Sequence, residues 1–227
     1  MRLRGVVFDF DGVIADSESL HFRGYRDVLI DEGVTLTQAD YLARYLGYDD
    51  VGAFEAIAAD HGLTWSSARV TRLVEEKARR LEDLERDHSP LFPGAEAAIK
   101  RLAAICPLAI ASGALRAEIS RVLAREGLNP YFVAVVGAED VAASKPSPEP
   151  YLKAIRALAS GDVPIAAEYV AIEDSHWGLE SARAAGLRTV AVTHTYPAGA
   201  LMADLTVANL DTISPTILET LVRSVVK

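Results

Sequence analysis

The sequence predicts an α/β fold, with a Rossmann-like parallel-sheet core into which a four-helix domain is inserted. Three observations lead to this prediction. The apolar run at residues 5–9 is typical of a buried strand, because β-branched and aromatic residues fit a pleat that is covered on both faces. Residues 17–87 carry helical patterns with no strand between them. From residue 89 onwards strands and helices alternate, which indicates βαβ units and a parallel sheet.

The core is predicted to comprise residues 1–15 and 89–227, and the insert residues 16–88. The first strand belongs to the core because, like the later strands, it ends at a polar cluster. The later elements are inferred from apolar runs and amphipathic stretches between turn residues. They are a helix at 95–104, a strand at 107–111, a helix at 115–126, a strand at 133–136, a helix at 148–159, a strand at 169–172, a helix at 178–185 and a strand at 188–193.

The insert is predicted to hold four helices. They lie within residues 17–33, 37–45, 51–61 and 66–87. Thr37 is the expected N-cap of the second helix. The fourth helix has an apolar stripe on one side and many charges on the other, which is typical of a helix that packs on one face. The pattern therefore indicates a compact helical domain.

Composition and charge limit the class of partner. The chain has 227 residues, half of them hydrophobic, and a formal net charge of −9 at pH 7. This charge argues against nucleic acid or an anionic membrane as the main partner, although a few local cations are enough to bind a small anionic substrate. No apolar run approaches the ~20 residues needed to span a bilayer, and the N-terminal residues do not resemble a signal peptide.

The single cysteine indicates a reducing compartment. Cys106 excludes an intramolecular disulfide, which suits the cytosol. It precedes Pro107 between a predicted helix and a predicted strand, and this position favours a small buried hydrophobe over a nucleophile. We therefore expect a cytoplasmic protein, and we expect it to be a monomer.

Two aspartates, Asp9 and Asp11, stand at the carboxyl end of the first predicted strand. In open α/β sheets ligands bind at this end of the strands. Side chains two residues apart in a strand point to the same face, and close carboxylates repel each other unless a cation or a proton lies between them. The pair indicates a cation site, or else a solvated strand end followed by an Asp-Gly turn at Gly12.

Three further polar clusters follow later strands. Ser112 and Gly113 offer a hydroxyl and backbone N–H groups that can bind an anion, or Ser112 is an ordinary N-cap. Lys145 lies among prolines that restrict its backbone, so it suits a phosphate oxygen unless it is a solvated loop lysine. Glu173 and Asp174 precede a helix and are either cation ligands or partners of the helix dipole.

Asp174, together with Asp9 and Asp11, forms a set of hard oxygen ligands that suits Mg²⁺. Four polar clusters at strand ends, in this order, point to one site. With these residues the chain resembles the haloacid dehalogenase (HAD) superfamily, in the β-phosphoglucomutase-like group with a helical cap, over nearly its whole length. The shared motifs are Asp9-Phe10-Asp11-Gly12-Val13, Glu18-x-x-His21, Ala111-Ser112-Gly113, Ser144-Lys145-Pro146 and Ile172-Glu173-Asp174-Ser175.

The resemblance implies that Asp9 is the nucleophile and Asp11 the general acid and base, which also binds Mg²⁺ through its backbone carbonyl. Attack by Asp9 would give an aspartyl-phosphate. Asp11 would serve both half-reactions, because it can protonate the leaving oxygen and then deprotonate the attacking water. Mg²⁺ and Lys145 would neutralise the charge that otherwise keeps a carboxylate from attacking an anionic phosphate.

The remaining core residues are assigned by the same resemblance. Ser112, Gly113 and Lys145 would bind the transferred phosphoryl group. Asp174 would complete the metal shell, with Glu173 beside it. The predicted activity is a Mg²⁺-dependent phosphatase that hydrolyses a small phosphorylated metabolite. Two alternatives stay open: a sugar-phosphate mutase of the β-phosphoglucomutase type, and a non-catalytic binding protein.

The helical insert offers candidate substrate contacts. Glu18 and His21 are one helical turn apart, so they share a face, although a lone histidine in a helix is often structural. Lys77, on the fourth helix, would meet the site as a lysine does in the related mutase. Its alternative is a solvated helix charge.

One departure from the mutase pattern bears on the substrate. The mutase has a cap-loop arginine that grips a second phosphate, whereas the matching loop here holds Tyr45, Tyr48, Asp49 and Asp50, with Arg44 just before it as a candidate replacement. This difference favours a hydrolase over a mutase. Acidic residues in the loop would disfavour a second phosphate by like-charge repulsion, so we expect monophosphates to be preferred over bisphosphates.

Overall fold

The computed structural model describes residues 2–45, 48, 50–87 and 89–224, and the chain forms two compact units. The sheet unit comprises Met1–Asp16 and Leu91–Lys227, and the helical unit comprises Ser17–Pro90. The chain leaves the sheet unit after its first strand and returns to it at Leu91.

The helical unit contains α1 (Ser17–Asp31), α2 (Gln38–Asp40), α3 (Asp50–Asp60) and α4 (Ser67–Asp87). Thr37 caps α2 as predicted, because its side-chain oxygen accepts a hydrogen bond from the backbone N–H of Asp40. The predicted helix at 37–45 is nevertheless divided, since a π-helical segment, Tyr41–Tyr45, follows α2.

An aromatic core holds these helices together. The Tyr25 ring lies 5.1 Å from the Phe54 ring and 5.6 Å from the Tyr41 ring, measured between centroids. Leu29 of α1 and Leu73 of α4 are buried in the same cluster. Burial of an aliphatic or aromatic side chain of this size contributes about 1.5–3 kcal/mol. The first helix and the predicted apolar stripe of the fourth helix thus pack on one shared core.

Within the described residues, six strands form one parallel sheet. They are β1 (Gly5–Phe8), β2 (Leu108–Ala111), β3 (Phe132–Val136), β4 (Tyr169–Glu173), β5 (Arg188–Val192) and β6 (Leu205–Val207), in the order β3-β2-β1-β4-β5-β6. β1 is central, because Val7 pairs with Ala109 of β2 on one side and with Ala171 of β4 on the other. The parallel α/β core is confirmed, and the carboxyl ends of β1, β2 and β4 are neighbours.

Both faces of the sheet are covered. Val6 and Phe8 of β1 lie in one apolar cluster and Val7 lies in another, because successive side chains of a strand point to opposite faces. All three are fully buried, which explains the continuous apolar run in the sequence. The helices of this unit are α5 (Ala95–Ala103), α6 (Arg116–Arg125), α7 (Glu149–Leu158), α8 (His176–Ala184) and α9 (Pro215–Arg223).

The sequence pattern missed two elements, β6 and α9. β6 has three partly buried residues at the edge of the sheet, and so short a strand gives no apolar run. α9 does carry signals, since Ser214 caps it by accepting from the backbone N–H of Ile217, and Leu218 and Val222 are buried in the core. Its 3.6-residue period was available in the sequence.

Cys106 lies between α5 and β2 and is buried, as predicted. Burial raises the pKa of its thiol to about 11, so the group stays protonated and is a weak nucleophile. Among the described residues, no helix combines the length and the apolar character needed to cross a membrane.

Candidate active site

Asp9 follows β1 directly and is held against the neighbouring strand. Its backbone N–H donates to the carbonyl oxygen of Ile172 in β4 over 2.9 Å, and only 8% of the residue is exposed. Gly12, three residues on, has a φ of 76°, a conformation that favours glycine. A methyl group added to Gly12 would overlap the carboxylate of Asp174. This turn therefore packs the end of β1 against the end of β4.

Three predicted site acids come together in the sheet unit. One carboxylate oxygen each of Asp9, Glu173 and Asp174 lie within 4.8 Å of one another, and all three residues are buried. Asp11 is partly buried and forms an isolated parallel bridge with Ala15, and its carboxylate is not in this group of described acids. The structure thus brings the end of β1 and the end of β4 together at Asp9, Glu173 and Asp174.

Lys145 bridges two of these acids, Asp9 and Glu173. Its Nζ is 2.8 Å from Oδ1 of Asp9 and 2.6 Å from Oε1 of Glu173, and the side chain is 12% exposed. Burial by itself would lower the pKa of Lys145, but the two carboxylates raise it well above its usual range. The loop before it is fixed by Glu149, which accepts from the backbone N–H of Ala143 over 3.0 Å. The alternative of a solvated loop lysine is wrong.

Glu173 has both carboxylate oxygens engaged. Oε1 accepts from Lys145 and, over 2.6 Å, from the hydroxyl of Tyr151. Oε2 accepts from the hydroxyl of Ser175 over 3.1 Å and from the backbone N–H of Asp174 over 3.2 Å. The sequence did not indicate Tyr151, because the direction of its hydroxyl depends on how α7 packs on the sheet. These hydrogen bonds fix the carboxylate of Glu173, so Glu173 can hold Lys145 in place.

The electrostatic balance of this group favours a cation. Burial raises the pKa of Asp9 well above its usual range, Glu173 raises it further, and Lys145 opposes both effects. Burial also raises the pKa of Asp174, to about 6. Three carboxylates less one ammonium group leave two excess negative charges when every acid is ionised. A divalent ion that prefers carboxylate oxygen would balance them, so the donor set fits Mg²⁺.

Ser112 follows β2 and is also buried, with 3% of the residue exposed. Its backbone N–H donates to Val136 of β3 over 3.0 Å, and its hydroxyl accepts from the backbone N–H of Ala114 over 3.1 Å. The predicted alternative of a helix N-cap is wrong, because the cap of α6 is Leu115. A Cβ added to Gly113 would meet no atom within 4 Å, so this turn faces open space.

The loop after β5, which was not predicted to contribute, also reaches the site. The Thr195 hydroxyl donates to Oδ2 of Asp174, and Nδ1 of His194 donates to the carbonyl oxygen of Gly12 over 2.9 Å. The His194 proton must sit on Nδ1 for this bond, because a carbonyl can only accept. Both residues follow β5, so the argument from strand ends could have found them.

Three predicted cap residues form a cluster inside the helical unit. Lys77 is 1% exposed, and its Nζ lies 2.6 Å from Oδ1 of Asp50 and 3.0 Å from Nδ1 of His21. The solvated alternative for Lys77 is therefore wrong. An ammonium can only donate, so Nδ1 of His21 accepts and Nε2 carries the proton. Burial, and then Lys77, lower the pKa of His21 to about 4.

Glu18, Arg44 and Tyr45 also have hydrogen-bond or ion-pair partners inside the helical unit. Glu18 accepts from the hydroxyl of Tyr41 over 2.7 Å. Arg44 pairs with Asp60 at 2.6 Å, and Tyr45 donates to the same carboxylate, also at 2.6 Å. These bonds tie Arg44 to its own unit, so its expected role as a replacement for the mutase arginine gains no support.

The repulsion expected from Asp50 of the cap loop is offset inside the helical unit. The charge of Asp50 is balanced by Lys77, and its carboxylate also accepts from the hydroxyl of Tyr25 over 2.6 Å. Asp50 therefore provides no net negative charge against a second phosphate. Tyr48 is 55% exposed, and Asp49 lies outside the described residues.

Comparison with known proteins agrees with this geometry. A family model described as haloacid dehalogenase-like hydrolase matches residues 6–192. Over 208 residues the chain is 32% identical to Protein CbbY of Rhodobacter capsulatus, with 88% of this chain and 89% of that protein covered. Over 203 residues it is 30% identical to fructose-1-phosphate phosphatase YqaB of Escherichia coli (strain K12), with 84% and 97% covered.

A solved structure has the same fold. The crystal structure of CbbY from Rhodobacter sphaeroides in complex with phosphate matches with a TM-score of 0.72 at 23% identity, and the match covers 96% of this chain and 100% of that one. At this level of identity the likeness concerns the fold.

Proposed function

Because this chain belongs to the haloacid dehalogenase-like hydrolases, in their β-phosphoglucomutase-like group, we propose that it is a Mg²⁺-dependent phosphatase that hydrolyses the phosphate ester of a small sugar or polyol. The hydrolase class follows from the family, and the phosphatase activity is supported by a relative named as a phosphatase. The observation that supports the proposed mechanism is the position of Lys145, whose ammonium group lies 2.8 Å from Asp9 and 2.6 Å from Glu173. It supports Asp9 as a nucleophile whose approach to an anionic phosphate is assisted by a fixed cation.

The proposed reaction has two steps. The carboxylate of Asp9 attacks phosphorus, the bond from phosphorus to the ester oxygen breaks, and Asp11 gives that oxygen a proton. Asp11 then takes a proton from water, which attacks the phosphorus of the aspartyl-phosphate. This step releases inorganic phosphate and restores the Asp9 carboxylate. Lys145 stays paired with Glu173 throughout, so its position does not depend on the substrate.

The remaining residues of the sheet unit bind the phosphoryl group and the metal ion. Mg²⁺, when bound, neutralises charge on the phosphoryl oxygens. Asp9 and Asp174 would hold it, with the backbone carbonyl of Asp11. Ser112 and Gly113, beside the open space after β2, would bind phosphoryl oxygens together with the cation of Lys145. Because both oxygens of Glu173 are engaged, we assign it to positioning Lys145 rather than to direct ligation.

The sheet unit is the proposed catalytic core, and the helical unit is the proposed cap that selects the substrate. A relative named fructose-1-phosphate phosphatase supports a phosphorylated sugar as the substrate class. His21 would donate its Nε2–H to a substrate hydroxyl, because Lys77 occupies its Nδ1. Glu18 and Tyr48 are further candidates to contact the sugar or polyol. Asp50 acts in this account by holding Lys77.

The experiment that tests this proposal is a panel of phosphate esters measured as kcat/KM with Mg²⁺. Sugar and polyol monophosphates should exceed a small generic ester, and a chelator should abolish turnover. The Asp9→Asn variant is the control for contaminating phosphatases. No hydrolysis of any ester by the folded protein would contradict the proposal and favour a non-catalytic binding protein.

A phosphohexomutase is the second candidate, favoured by the His21–Lys77 contact at 3.0 Å, since the related mutase has cap residues of these types. Incubation with a hexose 1-phosphate and a trace of the bisphosphate separates the two activities. Release of inorganic phosphate supports the phosphatase. Conversion to the hexose 6-phosphate without net phosphate release would support the mutase.

The expectation of a cytoplasmic monomer completes the proposal. The single cysteine, Cys106, supports a reducing compartment. Sedimentation of the purified chain at micromolar concentration would test the monomer, and a mass of two chains would contradict it.

A further inference from the structure

The loop after β5 is anchored on both sides of Thr195. On one side, the ring of His194 stacks on Phe92, with centroids 3.9 Å apart and planes inclined by 20°. On the other side, Tyr196 packs edge-on against His176, with 5.0 Å between centroids. Thr195 itself is exposed, but its two neighbours hold its backbone at the carboxyl end of the sheet.

The side chain of Thr195 is directed at a buried acid. Its hydroxyl donates to Oδ2 of Asp174, and Asp174 is only 5% exposed. The same oxygen lies against Gly12, where an added methyl group would overlap the carboxylate. With Oδ2 confined by a donor on one side and by the Gly12 backbone on the other, the carboxylate has little freedom to rotate. Oδ1 is then the oxygen left for a cation.

We propose that Thr195 is a positioning residue for the metal site, and that its hydroxyl holds Asp174 with Oδ1 presented to the divalent cation. The inference rests on the proposed function, because it requires that Asp174 is a metal ligand. Groups that hydrogen-bond to a metal ligand orient it before binding, and their loss typically weakens metal affinity 10–100-fold. Because the hydroxyl donates to a buried carboxylate, its removal also lowers the stability of the metal-free fold, so stability has to be measured beside metal affinity.

The test compares three variants of the full chain. Thr195→Val removes the hydroxyl and keeps the branched shape, Thr195→Ser keeps the hydroxyl, and Thr193→Val is the matched control two residues earlier in the same loop. Calorimetric titration gives the affinity for Mg²⁺ alone, and the melting temperature without metal reports on the fold. We expect Thr195→Val to bind Mg²⁺ roughly tenfold more weakly, and to melt at a somewhat lower temperature without metal while it stays folded at the temperature of the titration. Thr195→Ser and Thr193→Val should bind like the unmodified protein.

Each other outcome has a distinct meaning. Unchanged Mg²⁺ affinity in Thr195→Val would overturn the inference about Thr195 and leave the proposed function standing. Equal weakening in Thr193→Val, or no rescue by Thr195→Ser, would also overturn it, because the effect would then belong to the loop and not to the hydroxyl. If the unmodified protein hydrolyses esters but does not bind Mg²⁺, the metal assignment of the proposed function fails and the inference fails with it.

Discussion

The replacement Lys77→Met tests whether the buried charge cluster of the helical unit holds its helices together. Lys77 is 1% exposed, and its ammonium group lies 2.6 Å from Asp50, 3.0 Å from His21 and 4.6 Å from the centre of the Tyr25 ring. Methionine is a flexible unbranched side chain that can fill the space of the lysine stem. The variant therefore removes the charge without opening a large cavity.

The expected cost follows from what the variant leaves behind. Removal of one partner from a buried ion pair costs about 3–5 kcal/mol, because the other charge is left uncompensated. The side chain of Asp50 is 34% exposed and keeps its hydrogen bond from Tyr25, so water and that hydroxyl recover part of the loss. We expect the free energy of unfolding to fall by about 2–3 kcal/mol.

The assay is urea unfolding at neutral pH, followed by circular dichroism at a wavelength that reports on helix. The matched control is Arg80→Met on the same helix, where the cation is 44% exposed and pairs with Glu76 at 3.7 Å and with Asp31 at 3.2 Å. Exposed pairs contribute little, so this control should lose less than about 1 kcal/mol. A loss of stability in Lys77→Met no larger than in Arg80→Met would show that the buried charge cluster does not hold the helices together.

Three other changes test the electrostatics of the two units. Below pH 6.5 the unfolded chain binds a proton at His21 that the folded chain, in which the pKa of His21 is about 4, does not bind. His21 therefore lowers the free energy of unfolding as the pH falls from 6.5 to 4. In urea titrations at these two pH values, His21→Gln should reduce that loss of stability by up to about 3 kcal/mol. An equal loss in the variant and in the unmodified protein would contradict the assignment. Mg²⁺ should raise the melting temperature of the unmodified protein, because it binds the native state, and it should raise that of Asp174→Ala much less. Equal increases in the two proteins, measured by calorimetry, would contradict the assignment of Asp174 as a metal ligand. Tyr151→Phe deletes the donor to Glu173 and should lower the free energy of unfolding by about 1–3 kcal/mol, and an unchanged urea midpoint would show that the bond contributes nothing.

The residues at strand ends could be predicted because sheet geometry makes them meet. Asp9 follows β1, and Asp174 follows β4, and these strands are neighbours in a parallel sheet. Once the strands are recognised from their apolar runs, parallel pairing places their carboxyl ends at the same edge of the sheet, so the site can be predicted without further information. Thr195 obeys the same rule after β5, so the sequence pattern also contains the information that places it at this edge.

The partners of these residues could not be predicted, because they depend on packing between distant elements. Lys77 stands beside two glutamates and looks solvated in the sequence, yet its partners Asp50 and His21 are 27 and 56 residues away. Nothing in a local window encodes those contacts. The same holds for Tyr151, whose hydroxyl reaches Glu173 across 22 residues. Charge repulsion by Asp50 was therefore expected from the sequence although the fold neutralises it.

The proposed function depends above all on attack by Asp9 on phosphorus, with transfer of the phosphoryl group to its carboxylate. The most direct test is to quench turnover of an ester labelled in its phosphoryl group in acid, digest the protein and map the labelled peptide. We predict label on the peptide that contains Asp9, removable by hydroxylamine as expected for an acyl phosphate. Asp9→Asn should carry no label and should lose at least about 10³-fold in kcat/KM while its circular dichroism is unchanged. Wild-type turnover in Asp9→Asn, or label on another residue, would contradict the account.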